Sequence, residues 1–175
     1  MILKLVDIKA PVLRQKAKPV KSVDKKIKIL IEDMKETLTA QSDPEGVGLA
    51  APQVGRSLQI FIMDHNKTKE VVMNPKVLNI SESKLSKKEA NNLLEGCLSL
   101  PHYYGPLKRA NEITIEYKDE DFKTQTKTFK KFLAQIVQHE IDHLEGTLFI
   151  DRILEQNAPL YKFNGEDEWE EVELI

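Results

Sequence analysis

His139-Glu140-Ile141-Asp142-His143 sets two imidazoles four residues apart, with a carboxylate beside the first. On a helix that spacing stacks the rings one turn apart, where they can grip a single metal ion, and leaves the glutamate free to move protons. The flanking residues predict such a helix over about 131–144. At ~100° per residue, Phe132, Ile136, His139, Glu140 and His143 fall on one face, with Leu133 and Leu144 at its edge. Polar groups at the centre of an apolar face cost roughly 2–7 kcal/mol each if buried without partners. Two core histidines and a buried ion pair would have to be satisfied one by one, whereas a metal satisfies the three groups together.

Two histidines leave a ligand to be found, because catalytic sites of this kind use three protein ligands and keep a position for water. His65, His102 and many acidic residues are available. A sharper candidate is Cys97 in Glu95-Gly96-Cys97-Leu98-Ser99. A thiolate is a strong, soft ligand, and Gly96 lets the backbone approach closely. Cys97 is the chain's one cysteine, so no internal disulfide forms, but a lone cysteine is more often a small core residue. Spacing alone leaves the choice open. A third island, Gly46-Val47-Gly48-Leu49-Ala50-Ala51-Pro52-Gln53, concentrates small residues with special backbone needs. It reads equally well as a turn entering a strand, and it lacks the GK[ST] ending of a phosphate loop.

The elements that must position these residues are legible in outline. Residues 24–41 predict an amphipathic helix, with Ile27, Leu30, Ile31, Met34 and Leu38 on one face and Asp24 as N-cap. Asp43-Pro44-Glu45-Gly46 breaks it. Residues 58–63 predict a mostly buried strand, and 70–73 another that ends at Asn74-Pro75. Residues 80–92 are polar and predict an exposed loop. Ile113, Ile115 and Tyr117 alternate with polar residues in a half-buried strand, which turns at 119–121 into a partner at 122–129. Signals weaken after Phe149. The order predicts an α+β fold with mainly antiparallel sheets packed around the helix bearing HExxH, preceded by the N-terminal amphipathic helix.

The 175 residues suit one domain spanning 1–175, and 41% hydrophobic residues supply a core. A net charge of -2 argues against broad nucleic-acid binding. No apolar run reaches the length of a membrane span, and the N-terminus has neither a signal-peptide nor a transit-peptide pattern. A cytoplasmic location is expected.

Taken together, the three islands resemble the peptide deformylases. That family's motifs read GφGφAAPQ, EGCLS and QHExDH, with φ apolar, and stand here as Gly46–Gln53, Glu95–Ser99 and Gln138–His143, in the same order. The likeness covers about residues 5–152. It implies that Cys97, His139 and His143 bind one divalent ion, natively iron(II), with zinc, nickel or cobalt able to replace it. It implies that Glu140 takes a proton from water and passes it to the leaving amine. Gln53 and the Leu98 N–H would stabilise the oxyanion at the formyl carbon. The reaction implied removes the formyl group from the N-terminal methionine of nascent polypeptides and releases formate. The methionine pocket would comprise Gly46, Val47, Gly48, Leu93, Phe132, Gln135 and Ile136, and Glu95 and Arg109 would support the ligands. Gln135 stands where an apolar residue is usual, Lys131 where glycine often opens the helix, and the His102–Pro106 loop is individual. Some bacterial members end in a basic helix that contacts the ribosome; this chain has no basic residue after Lys162. Trp169, Val172 and Leu174 would instead let the acidic tail pack on the body as a short strand, or the tail stays disordered.

Two other classes share part of the pattern. A zincin-type metalloprotease takes its third ligand downstream of HExxH, and Glu145 and Glu155 are available. A binding protein with a degenerate site would lack catalytic groups, yet all of those implied are present.

Overall fold

The structure is a computed structural model and describes residues 1–81, 94–165 and 168–173. Helix α1 (Lys25–Thr39) starts where Asp24 accepts a hydrogen bond from the Ile27 N–H at 2.9 Å. Strands β1 (Gly48–Ala50), β2 (Ile60–His65) and β3 (Thr68–Ile80) follow, then β4 (Leu94–Cys97), β5 (Leu100–Pro106), β6 (Glu112–Lys118) and β7 (Thr124–Lys130). Helix α2 (Phe132–Glu145) carries HExxH; α3 (Phe149–Glu155), β8 (Leu160–Phe163) and β9 (Trp169–Val172) complete the described elements. The strands form two antiparallel sheets, ordered β1-β2-β3-β6-β7 and β4-β5-β8-β9. The α+β fold is thus the one the sequence predicts.

The continuous apolar run in β2 follows from covering both faces of the five-stranded sheet. Ile60 and Ile62, with Val71 and Met73 of β3, pack on Ile31, Met34 and Leu38 of α1. One residue out of step, Phe61 and Met63, with Val72, pack on Ala134, Ile136 and Val137 of α2. Ile113, Ile115 and Tyr117 of β6 join that second layer, as their alternation predicts. Helix α2 therefore runs through the interior and is buried nearly all round, rather than presenting a single apolar face.

One expectation changes, and of the two readings of the tail one holds. Asn74-Pro75 does not end β3: Asn74 takes a positive φ of 51°, the register shifts between Met73 and Lys76, and the strand continues to Ile80. A bulge absorbs the missing proline N–H, while the Asn74 side chain ties the bulge to the Val20 backbone. The tail forms a strand, β9, paired to β8. Leu174, expected to join it, lies outside the described residues, as does most of the expected 80–92 loop.

Lys131 opens α2 at φ 54°, ψ -128°, a conformation that costs a side-chain-bearing residue of order 1–3 kcal/mol and glycine little. Gly146 ends the helix at φ 79°, its N–H turned back to the carbonyls of Asp142 and His143.

Candidate metal centre

Helix α2 and the β4–β5 hairpin converge on Cys97, His139 and His143. Their ligand atoms lie within 4.8 Å of one another, and all three residues are buried. The Cys97 Sγ is 3.3 Å from His143 Nε2. The His139 Nδ1 bonds Glu95 Oε1 at 2.8 Å, which turns its Nε2 toward the sulfur. Burial alone would raise the Cys97 thiol, but the imidazoles of His143 and His139 outweigh it and hold it well below its ordinary value. Burial likewise opposes a charged His139, and Cys97 and Glu95 overcome it. A thiolate and two imidazoles form a soft donor set that suits iron, zinc or nickel. His143 Nδ1 and Glu140 Oε2 are buried without a partner, so the cluster is not satisfied by protein groups alone.

Glu140 sits one residue after His139. Burial pushes its carboxyl up to about 7; the two imidazoles lower it in part and Cys97 raises it. Such a group both accepts and gives up a proton near neutral pH. Its carboxylate occupies the place of a side chain at Gly48: a Cβ there would overlap Glu140 Oε1 and lie 3.0 Å from Ile136 Cγ2. That close approach explains one glycine of the small-residue island. Gln53 explains another part of it. Its Oε1 accepts from the Ala50 N–H at 2.9 Å, which fixes the amide so that Nε2 faces Cys97 Sγ at 3.5 Å and Ser99 Oγ at 3.4 Å.

Around Cys97, His139 and His143 runs a chain of charge of which the resemblance implies only Glu95 and Arg109. Arg109, which reads as a surface arginine nearly as well as a structural one, is buried; it donates to both Glu95 oxygens at 2.9 and 2.6 Å and to Asp142 at 2.7 Å. Asp142 also accepts two bonds from Arg152, at 3.1 and 2.7 Å. Burial would raise Glu95, but Arg109 and His139 hold it at about 2. Asp142 lies inside the HEIDH stretch, so its position was visible and its partners were not.

A cavity of about 330 Å³ opens beside the cluster. Val47, Gly48, Gln53, Leu98, Phe132, Gln135 and Ile136 line it together with Glu95, Cys97, His139 and Glu140. One expectation needs correction. Gly46 is not part of the wall: it packs on α1, with Leu38 where its side chain would be. Leu93 lies outside the described residues, and Leu94 lines the cavity beside it. The Gln135 amide, at the position where an apolar residue is usual, turns to Glu95, at 3.4 Å. His65, edge-on to Phe132 at 4.8 Å, also lines the wall and was missed.

The downstream ligands a zincin would use are elsewhere. Glu145 pairs with Lys16 at 2.6 Å and Glu155 with Arg152 at 2.8 Å.

Comparison with known proteins identifies the family. The family described as Polypeptide deformylase matches residues 2–158. The chain is similar to the peptide deformylase of Chlorobaculum parvum, 42% identical over 160 residues that cover 87% of this chain and 80% of that one. It is also similar to that of Dictyoglomus thermophilum, 41% identical over 156 residues, 89% of this chain and 95% of the other. Among solved structures, the peptide deformylase from Thermotoga maritima superposes with a TM-score of 0.77 at 37% identity, covering 87% of this chain and 97% of that one. The chain therefore belongs to the peptide deformylases, metal-dependent enzymes that remove the N-formyl group from nascent polypeptides.

Proposed function

We propose that Cys97, His139 and His143 hold the metal, with iron(II) the resident ion, and that Glu140 is the proton carrier. One observation carries this reading: a buried sulfur and two imbedded imidazoles converge within 4.8 Å, beside a glutamate whose second oxygen has no partner. When bound, the ion supplies a Lewis acid and lowers the pKa of water toward neutrality. The chain's own residues do the rest. Val47, Phe132 and Ile136 take the methionine side chain, and the Gln135 methylenes complete the wall while its amide is held on Glu95. The Gln53 amide, fixed by Ala50, and the Leu98 N–H donate to the formyl oxygen as it gains charge. Glu140 accepts a proton from the attacking water and returns it to the amine as the C–N bond breaks. Glu95, clamped by Arg109, keeps His139 in one tautomer.

The substrate is a formyl-methionyl nascent chain, so the enzyme is proposed to act in the cytoplasm, as one catalytic domain over residues 1–175. No helix among the described residues is long and apolar enough to cross a membrane. With the acidic stretch after Lys162, direct nucleic-acid binding is not part of the proposal.

Formate release from a formyl-methionyl peptide, measured beside cleavage of an N-acetylated internal peptide, tests the reaction. The reading expects the first alone. Stripping the metal and restoring iron, nickel or zinc tests the ion: iron should give activity that fades in air, and nickel activity that lasts. Activity indifferent to chelation would overturn the metal assignment.

A further inference from the structure

The β8–β9 hairpin lies beyond residues 2–158, the part matched by the family, and it reaches back to the cavity. The four-stranded sheet has two distinct faces. On one, Leu160 and Val172 pack with Tyr103 around Ile153. One residue out of step, the pairing puts Tyr104, Tyr161 and Glu171 in one row across the other face, with Phe163 and Trp169 in the next.

Tyr104 lines the cavity. It stands opposite Gly96, and its ring fills the space a side chain would need there: a Cβ on Gly96 would lie 2.7 Å from two ring carbons. The ring therefore covers the strand that carries Cys97. Trp169 stacks edge-on against it, centroids 5.6 Å apart at 67°, and is itself held by Phe163 at 4.9 Å. Trp169 stays 49% exposed.

The surroundings are acidic. Asp43 is exposed and close enough to bear on the Tyr104 hydroxyl, Glu45 lines the cavity, and Glu171 shares the Tyr104 row. Lys162 falls on the opposite face from these groups. An aromatic pair with a half-open face among carboxylates suits a cation better than an apolar or acidic group.

We propose that Tyr104 and Trp169 form a wall that receives a lysine or arginine side chain of the substrate just downstream of its methionine, with Asp43, Glu45 and Glu171 supplying the countercharge. The inference rests on the reading that a formyl peptide enters this cavity. Tyr104 lines the same cavity as Cys97, His139 and Glu140, so the side chains of an extended substrate that face its ring belong to residues that follow the methionine.

The experiment measures kcat/KM for formyl-Met-X-Ala and formyl-Met-Ala-X, with X lysine, norleucine or glutamate. At one of the two positions lysine should exceed norleucine about fivefold, as a partly exposed cation–π contact gives, and glutamate should fall below both. The lysine-to-norleucine ratio should drop toward one in Trp169→Leu and in Tyr104→Leu, and return in Trp169→Phe. Trp169 is the chain's only tryptophan, so acetyl-Met-Lys-Ala should change its fluorescence saturably, and acetyl-Met-Glu-Ala should do so only at higher concentration. A ratio near one at both positions in the native enzyme, or one that survives Trp169→Leu, overturns the proposal while leaving the reaction intact. Absence of formate release from every peptide overturns the catalytic assignment, and this inference with it.

Discussion

Replacing Arg109 by methionine isolates the support beneath the metal ligands. Arg109 makes three charge-assisted bonds, two to Glu95 and one to Asp142. Asp142 keeps both bonds from Arg152, so the loss falls on Glu95, which is only 4% exposed. Methionine fills most of the volume and removes the charge. Taking one partner from a buried ion pair costs about 3–5 kcal/mol, and Glu95 limits the cost by taking up a proton. For a chain of this size each kcal/mol moves the Tm by about 2–4 °C, so a fall of ~6–20 °C is expected. A protonated or displaced Glu95 also loosens its hold on His139 Nδ1, and losing such a partner weakens metal binding ~10–100-fold. Calorimetry and zinc competition against a chromophoric chelator measure both effects. The pH dependence has a definite sign. With Glu95 lowered from 4.5 to about 2 in the native protein, its stabilisation is complete above 4.5 and is lost as the pH falls toward 2. The Tm gap between native enzyme and variant should narrow over that window. A variant within ~2 °C of the native Tm, with unchanged zinc affinity, would refute the reasoning.

Glu140→Gln keeps the shape and loses the proton acceptor; kcat should fall about 10²–10⁴-fold with metal content unchanged, and an unaltered kcat would remove Glu140 from the chemistry. Gly48→Ala puts a methyl where the Glu140 carboxylate and Ile136 already sit, so formate release should drop sharply while bound metal stays, as a metal assay beside the activity assay can show. Lys131→Gly relieves the φ of 54° at the start of α2; strain relief of about 1–3 kcal/mol, less the ~0.5–1 kcal/mol entropy cost of glycine, should leave the Tm unchanged or raise it by up to ~10 °C in a thermal melt, and a fall would contradict the strain reading.

Local spacing made the chemistry of α2 legible, because His139, Glu140 and His143 are brought together by the helix itself. Cys97 was different. It lies 42 residues before His139, so only the family motif, not the spacing, singled it out as the candidate ligand, and the fold brings its sulfur to the two imidazoles. The Arg152–Asp142–Arg109–Glu95 chain was out of reach for the same reason, its partners joining two helices and a strand. Arg109 was named from resemblance alone. The misread end of β3 is a tertiary effect: Asn74-Pro75 carries an ordinary stop signal, and the bond from the Val20 N–H to Asn74 lets the strand bulge and go on. The tail hairpin was faint because β8 and β9 have four residues each, too few for periodicity to stand out. The departures at Gln135 and Lys131 were visible in the sequence, and their consequences needed the Glu95 contact and the φ value to be understood.

The central claim is that Cys97 completes the metal site, and the metal content of Cys97→Ala tests it most directly, with formate release measured on the same sample. With the sulfur gone, His139 and His143 should hold the ion loosely or not at all, and turnover should collapse while circular dichroism shows the fold retained. If Cys97 is merely a small buried side chain, the variant loses about 1 kcal/mol of stability and keeps both a full complement of metal and its activity, and that result would contradict the account.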